Sequence, residues 1–405
     1  MVYISFAANA QLVPNYISVQ ARSLPLGRWL VGYNQFKTPV GSNFDSYGKY
    51  DAFSEQKKVH LKAQTLIQDD PLRGPALEGL LSSYNVQSST VLGTYDIYLK
   101  GDIAADIFTI GYGISDTLGI YITAPYLKWD MQTAFVFKKS EKMIQLLNQL
   151  KQDGQAQAAV DLETGVSAGV VNALQKNGLS SESLNSKSQA LGDIQINLKW
   201  AKDCQEDLCT SIDPFIILPT ANKMNSNTIL PIKSGDRRWA VGLGSSSLRS
   251  FSKMSSGLSF NIQYPLPGKT EARPPLNTLS TQQSSLFTYD DNVSVKNGLK
   301  LNLHADQSLI LYKTISFNLG LDYQKKWATE YSGDLLSSDD YAKISDESEQ
   351  ELTTFIAGLS LNSLDLFLKN KFVIPMQVGL SGQWPLAGIN TSADFSVAGN
   401  IYFFF

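Results

Sequence analysis

The sequence predicts an all-β fold: a closed antiparallel transmembrane β-barrel of about twelve strands, carrying a helical extracellular insertion. Three observations predict it. Many segments alternate apolar with polar or small residues at a period of two, the connections between them alternate between short and long, and the chain closes on an aromatic strand ending in Phe405. A barrel strand in a membrane turns apolar residues to lipid and polar ones to its lumen, over about 10 residues at a time.

Composition narrows the class first. Charged residues make up 18% of the 405 residues and aromatics 11%, against a usual charged share of about 25%. Mean hydropathy is −0.12, and no stretch approaches the roughly 20 apolar residues of a membrane-crossing helix, which excludes a helical membrane protein. The formal charge of −3 provides no basic footprint, so nucleic acid is not expected as a partner.

Residues 1–10, MVYISFAANA, place Ala8 and Ala10 around Asn9 after a short apolar run. This is the small-residue pattern of a signal-peptidase site, so 1–10 is expected to be the remnant of a secretory signal, with Gln11 as the mature start. Residues 11–27 have room to fold back as an N-terminal plug, and 28–405 form the barrel.

The strands are expected at 28–38, 95–114, 118–137, 192–201, 211–221, 237–249, 257–265, 292–311, 314–331, 351–366, 372–384 and 392–405. The clearest is 315–323, where Ile315, Phe317, Leu319, Leu321 and Tyr323 share one face and Ser316, Asn318, Gly320 and Asp322 the other. A helix, at 3.6 residues per turn, would scatter both sets around its circumference. An even count returns both chain ends to one side. Connections such as 115–117, 250–256 and 312–313 are tight, whereas 39–94, 138–191, 222–236, 266–291 and 332–350 are long, as expected of periplasmic turns facing extracellular loops.

Within the second long connection, 140–178 carries apolar residues at helical spacing, from Met143, Leu146, Leu147 and Leu150 to Leu162 and Val166, with Gly154 between two amphipathic helices. An extracellular insertion at 140–190 would cap the mouth, capture a ligand, or lie on the outer leaflet. A shorter helix is expected at 74–84.

Cys204 and Cys209, with four residues between them, suit a turn disulfide in an oxidising compartment, with two free thiols as the alternative. Because His60 and His304 are the only histidines, neither a metal nor another cofactor is expected. His304 is expected to face the lumen near the periplasmic end, and no serine motif accompanies it, so no enzyme activity is expected. The inward faces yield the expected solute path: Lys199, Lys296, Lys300, Asn302, His304, Asn318, Asp322, Gln377 and Asp394. These would either orient a solute or fill a narrow lumen. On the last strand, Ile401, Phe403 and Phe405 alternate outward, as in the terminal signal read by the barrel-assembly machinery. The acidic stretch 334–351 suits a solvated loop, with binding of divalent cations near lipopolysaccharide as the alternative.

Four segments, YGISDTLGIYITAPY (112–126), LGDIQINLKW (191–200), FIILPT (215–220) and DRRWAVGLG (236–244), resemble the outer-membrane transporter family named after the meta-pathway of phenol degradation, in the style of FadL-like channels. The helical insertion and the lack of a long hatch depart from the FadL-like pattern. The resemblance implies a channel of the Gram-negative outer membrane for small hydrophobic or aromatic molecules. A structural or surface-interaction barrel with a closed lumen is the alternative. Expected partners are outer-membrane lipid and lipopolysaccharide, the barrel-assembly machinery and a small-molecule solute.

Overall fold

Each alternating segment has an oily edge and a polar edge and can satisfy its backbone in lipid only by pairing on both sides, which requires a sheet without edges. The computed structural model shows that sheet; it describes residues 23–52, 58–69, 74–167, 185–205, 208–223, 233–272, 290–312, 314–363, 366–367, 371 and 373–405. Residues 1–22, with the expected signal remnant and most of the expected plug, lie outside the described residues. Among the described residues no helix is long and apolar enough to cross a membrane.

Twelve strands form the wall: β1 (Trp29–Val40), β2 (Val91–Gly113), β3 (Leu118–Lys139), β4 (Ile194–Gln205), β5 (Leu208–Leu218), β6 (Ala240–Phe251), β7 (Met254–Pro265), β8 (Lys300–Tyr312), β9 (Ile315–Lys326), β10 (Gln350–Asn362), β11 (Met376–Ile389) and β12 (Ser396–Phe404). Each pairs antiparallel with its chain neighbours, and β12 returns to β1 from Leu30↔Phe404 to Lys37↔Val397, closing the barrel.

The outer face is a belt of exposed apolar side chains, among them Ile110, Leu198, Val241, Phe260, Leu303, Leu319, Leu359, Leu380 and Val397. An apolar surface this continuous belongs in lipid rather than water. On β1 to β3 the belt ends lower, at a polar cluster where Asp106 accepts from the Tyr33 hydroxyl (2.7 Å) and Gln35 Nε2 (3.1 Å) and pairs with Lys128 (2.6 Å).

Strands β2 and β3, 23 and 22 residues long, run past the rest of the wall. Their far ends continue into a small sheet with Lys58–Lys62 and Asn185–Leu191. Helices α1 (Ala63–Asp69), α2 (Gly74–Ser83), α3 (Glu141–Gln152) and α4 (Ala156–Ser167) share a core with this extension, built on Leu61, Leu81, Leu92, Tyr95, Met143, Leu150 and Val166. Helix α3 begins where the Ser140 hydroxyl accepts from the Met143 amide at 3.2 Å, a cap that satisfies an otherwise orphaned donor. Its Met143, Leu146, Leu147 and Leu150 all face that core, each stabilising it by roughly 1.5–3 kcal/mol on full burial. Gly154, at φ +75°, then turns the chain, a conformation glycine adopts without the Cβ penalty.

Two expected wall strands are shorter than their periodicity suggests. Asp290–Asn297 and Thr329–Ser332 leave the barrel and pair with each other, and Gly268–Ala272 joins them in a separate three-stranded sheet. Val293 there packs inward with Ala272, Tyr341 and Ile344 of helix α5 (Ser338–Asp346). Alternation alone does not distinguish lipid on the apolar side from a small local core. Ser42–Phe44, Tyr50–Ala52 and Thr391–Ser392 form a third small sheet beside the mouth.

Candidate functional site

The lumen is built from residues one step out of phase with the belt. Lys199 of β4 points inward, and its Nζ lies 3.4 Å from Asp213 Oδ1 on the next strand, both side chains largely buried. Across the barrel, His304 of β8 has its Nδ1 3.5 Å from Asp322 Oδ1 and its Nε2 3.7 Å from Asp306 Oδ1. These two groups line one partly open cavity, whose wall also carries Tyr121, Thr123, Gln195, Asn197, Ser259 and Asn302. Such a lining offers donors, acceptors and both signs of charge to a small molecule.

Packed side chains lie toward both ends of the barrel. At the short-turn end, Leu24 packs on Leu30, Tyr121 and Tyr402, its amide donates to the Tyr121 hydroxyl at 3.3 Å, and the Tyr402 hydroxyl donates to Asn34 Oδ1 at 2.6 Å. A small residue makes room for one of these rings: a Cβ on Gly32 would collide with Tyr402. At the long-loop end, extracellular in barrels of this kind, Lys300 and Lys326 sit directly opposite each other on β8 and β9, and the connection before β6 folds over them. Lys300 Nζ is 2.7 Å from Asp236 Oδ2, Arg237 pairs with Glu271, Arg238 Nη1 donates to the Asn297 carbonyl at 3.3 Å, and Lys233 Nζ donates to Thr270 Oγ1 at 3.1 Å. Burial alone would raise the Asp236 carboxyl, but Lys300, Lys326 and Arg238 outweigh it and hold the group well below the usual carboxylate range. Burial pushes the Lys233 ammonium down to about 8, against the pull of Asp236 and Glu271.

The residues expected along the path fall into three groups. Lys199, Lys300, Asn302, His304 and Asp322 lie on the inner wall around the cavity or at its mouth. Asn318 and Gln377 are also on inward faces, nearer the short-turn end, Asn318 donating to Ser360 Oγ at 2.9 Å. Two expectations are corrected. Lys296 is exposed on the separate three-stranded sheet, because its segment pairs outside the wall. Asp394 precedes β12 in the mouth, where its carboxylate accepts from the Gly41 and Ser42 amides at 2.9 and 3.0 Å and serves as a loop tie. His304 is also nearer the extracellular end than expected, since β8 starts at Lys300 rather than 292. Cys204 and Cys209 are joined by a disulfide in the β4–β5 turn. Phe405 and its neighbour Phe403 stack on the outer face, ring centroids 6.5 Å apart.

Asp213, Asp306, Asp236 and Lys326 were not among the residues expected on the path. Asp306 and Lys326 continue the inward alternation of strands already recognised, two residues beyond His304 and Gln324. Asp236 lies in a connection, where periodicity carries no signal.

No protein-family model matches the chain, and no curated protein matches it. Solved structures do. The COG4313 outer membrane channel from Pseudomonas putida F1 is 12% identical over 95% of this chain and 98% of that one, with a TM-score of 0.51. The CymD monoaromatic hydrocarbon channel is 8% identical over 94% and 88%, at 0.35, and the NanC porin 8% over 77% and 99%, at 0.33. At 12% identity the first likeness is one of fold: this chain is a twelve-stranded β-barrel of the bacterial outer membrane, built like an outer-membrane channel.

Proposed function

We propose that the barrel is a narrow channel that lets small molecules cross the outer membrane through its lumen, without chemistry on the solute. One observation carries the reading: the closed wall surrounds a partly open cavity lined by Lys199, Asp213, Asn302, His304 and Asp322. A barrel serving only as a scaffold has no need of buried charges around its lumen, since buried ionic groups are costly relative to apolar filling. The resemblance of four sequence segments supports a hydrophobic or aromatic body for the solute, and the polar lining supports a group on it that accepts or donates hydrogen bonds. Ile401, Phe403 and Phe405 would deliver the strand to the assembly machinery, and lipopolysaccharide would surround the polar collar at Asp106 and Lys128.

A second reading, a closed structural barrel, is favoured by the packing of Leu24 against Tyr121 and Tyr402 at one end and the charged cluster at the other. Purified protein in planar bilayers separates the two. Discrete conductance steps, together with swelling of liposomes in small solutes, are expected of the channel; bilayers as quiet as protein-free controls would refute it.

A further inference from the structure

The mouth cluster carries more positive charge than its own carboxylates balance. Lys233, Arg237, Arg238, Lys300 and Lys326 meet there, against Asp193, Asp236 and Glu271 among the described residues. Lys300 and Lys326 are a direct cross-strand pair, and like charges so placed destabilise a sheet unless something between them compensates. Asp236 is engaged with Lys300 and Glu271 with Arg237, while Asp193 is occupied by the Ala221 and Arg237 amides at 3.0 Å each. Lys326, only 7% exposed, makes no direct hydrogen bond or ion pair with a described residue; the counter-charge nearest in effect is Asp236, whose direct contact is with Lys300. An ammonium this buried, set opposite Lys300 and without a direct partner, is costly to keep charged, and a bound anion would offset that cost.

We propose that Lys326, with Lys300 and Arg238 beside it, is the binding site for a small carboxylate at the extracellular mouth. A carboxylate fits better than a phosphate. The donor without a direct partner is a single ammonium, a point charge suited to a monoanion, whereas the two guanidinium forks that would grip phosphate are engaged, Arg237 by Glu271 and Arg238 by the Asn297 carbonyl. The inward faces of β8 and β9 then run from Lys300 and Lys326 through Asn302 and Gln324 to His304 and Asp322. A captured anion would therefore pass from cations to amides to a histidine flanked by carboxylates. As a selectivity device the site rests on the channel reading above; as a binding site it stands without it, and the two are measured separately.

Isothermal titration of the detergent-purified full chain with benzoate, and with benzamide as a neutral molecule of the same shape, tests the site. Benzoate is expected to bind at least 10-fold more tightly than benzamide. Lys326→Gln, checked for folding by its heat-modifiable gel migration, is expected to weaken benzoate at least 10-fold and leave benzamide unchanged. Equal affinities for the two probes, an unchanged benzoate affinity in folded Lys326→Gln, or binding of inorganic phosphate without benzoate would each overturn the proposal. The comparison of probes on the unaltered chain decides even if the variant does not fold. In bilayers under a KCl gradient, the reversal potential should show anion preference that falls in Lys326→Gln; silent bilayers with benzoate binding intact would sink the channel reading and leave the site standing.

Discussion

Arginine at position 319 would place a charge in the middle of the belt. Leu319 lies on the outer face of β9, two outward residues from Ile315 on one side and two from Tyr323 on the other, with 40% of its surface exposed to the surroundings of the wall. A cation at the bilayer midplane of a barrel costs about 2–4 kcal/mol, falling to about 0–1 near the interface. Leu319→Arg should therefore shift the folding equilibrium by about 30- to 700-fold, at about 1.4 kcal/mol per tenfold, whereas Tyr323→Arg, beside the rim residue Lys325, should change it little. The adjacent Asn318 supplies the contrast between faces. It points inward to Ser360, and Asn318→Ala should cost only the roughly 0.5–1.5 kcal/mol of one hydrogen bond. Urea unfolding in phospholipid vesicles, followed by tryptophan fluorescence, reads all three. The reasoning fails if Leu319→Arg is no more costly than Tyr323→Arg.

Three further outcomes are expected. Lys199→Met strands the buried Asp213 carboxylate and should destabilise by about 3–5 kcal/mol, most of it recovered by adding Asp213→Leu, as a denaturant series on single and double variants would show. Lys233 holds its proton more weakly when folded than unfolded, about 8 against the usual 10.5. Its penalty is thus full below pH 8 and relieved as pH rises toward 10.5, a gain on the order of 3 kcal/mol; Lys233→Met should flatten that rise in unfolding measured across this window. Replacing Cys204 and Cys209 with serine opens only a short loop and should cost about 2 kcal/mol or less by loop entropy, with conductance unchanged; a larger loss in thermal unfolding would mean the turn does more than link β4 to β5.

Two-residue periodicity was enough to place the twelve strands, to separate the lipid face from the lumen face, and to put Lys199, Lys300, Asn302, His304 and Asp322 on the inner wall, because a strand's side-chain direction is a local property of the backbone. The helices α3 and α4 and the Gly154 turn were legible for the same reason, from apolar spacing and the glycine between them. What alternation does not encode is which partner covers a face. Val293 and Val295 read like wall residues but pack within a small separate sheet, taking Lys296 with them, and Asp394 left the wall because β12 starts two residues later. The Lys199–Asp213 pair and the cluster of Lys233, Asp236, Arg238 and Lys326 join residues far apart in the chain. Only closure of the barrel and folding of the loops over its mouth bring those charges together.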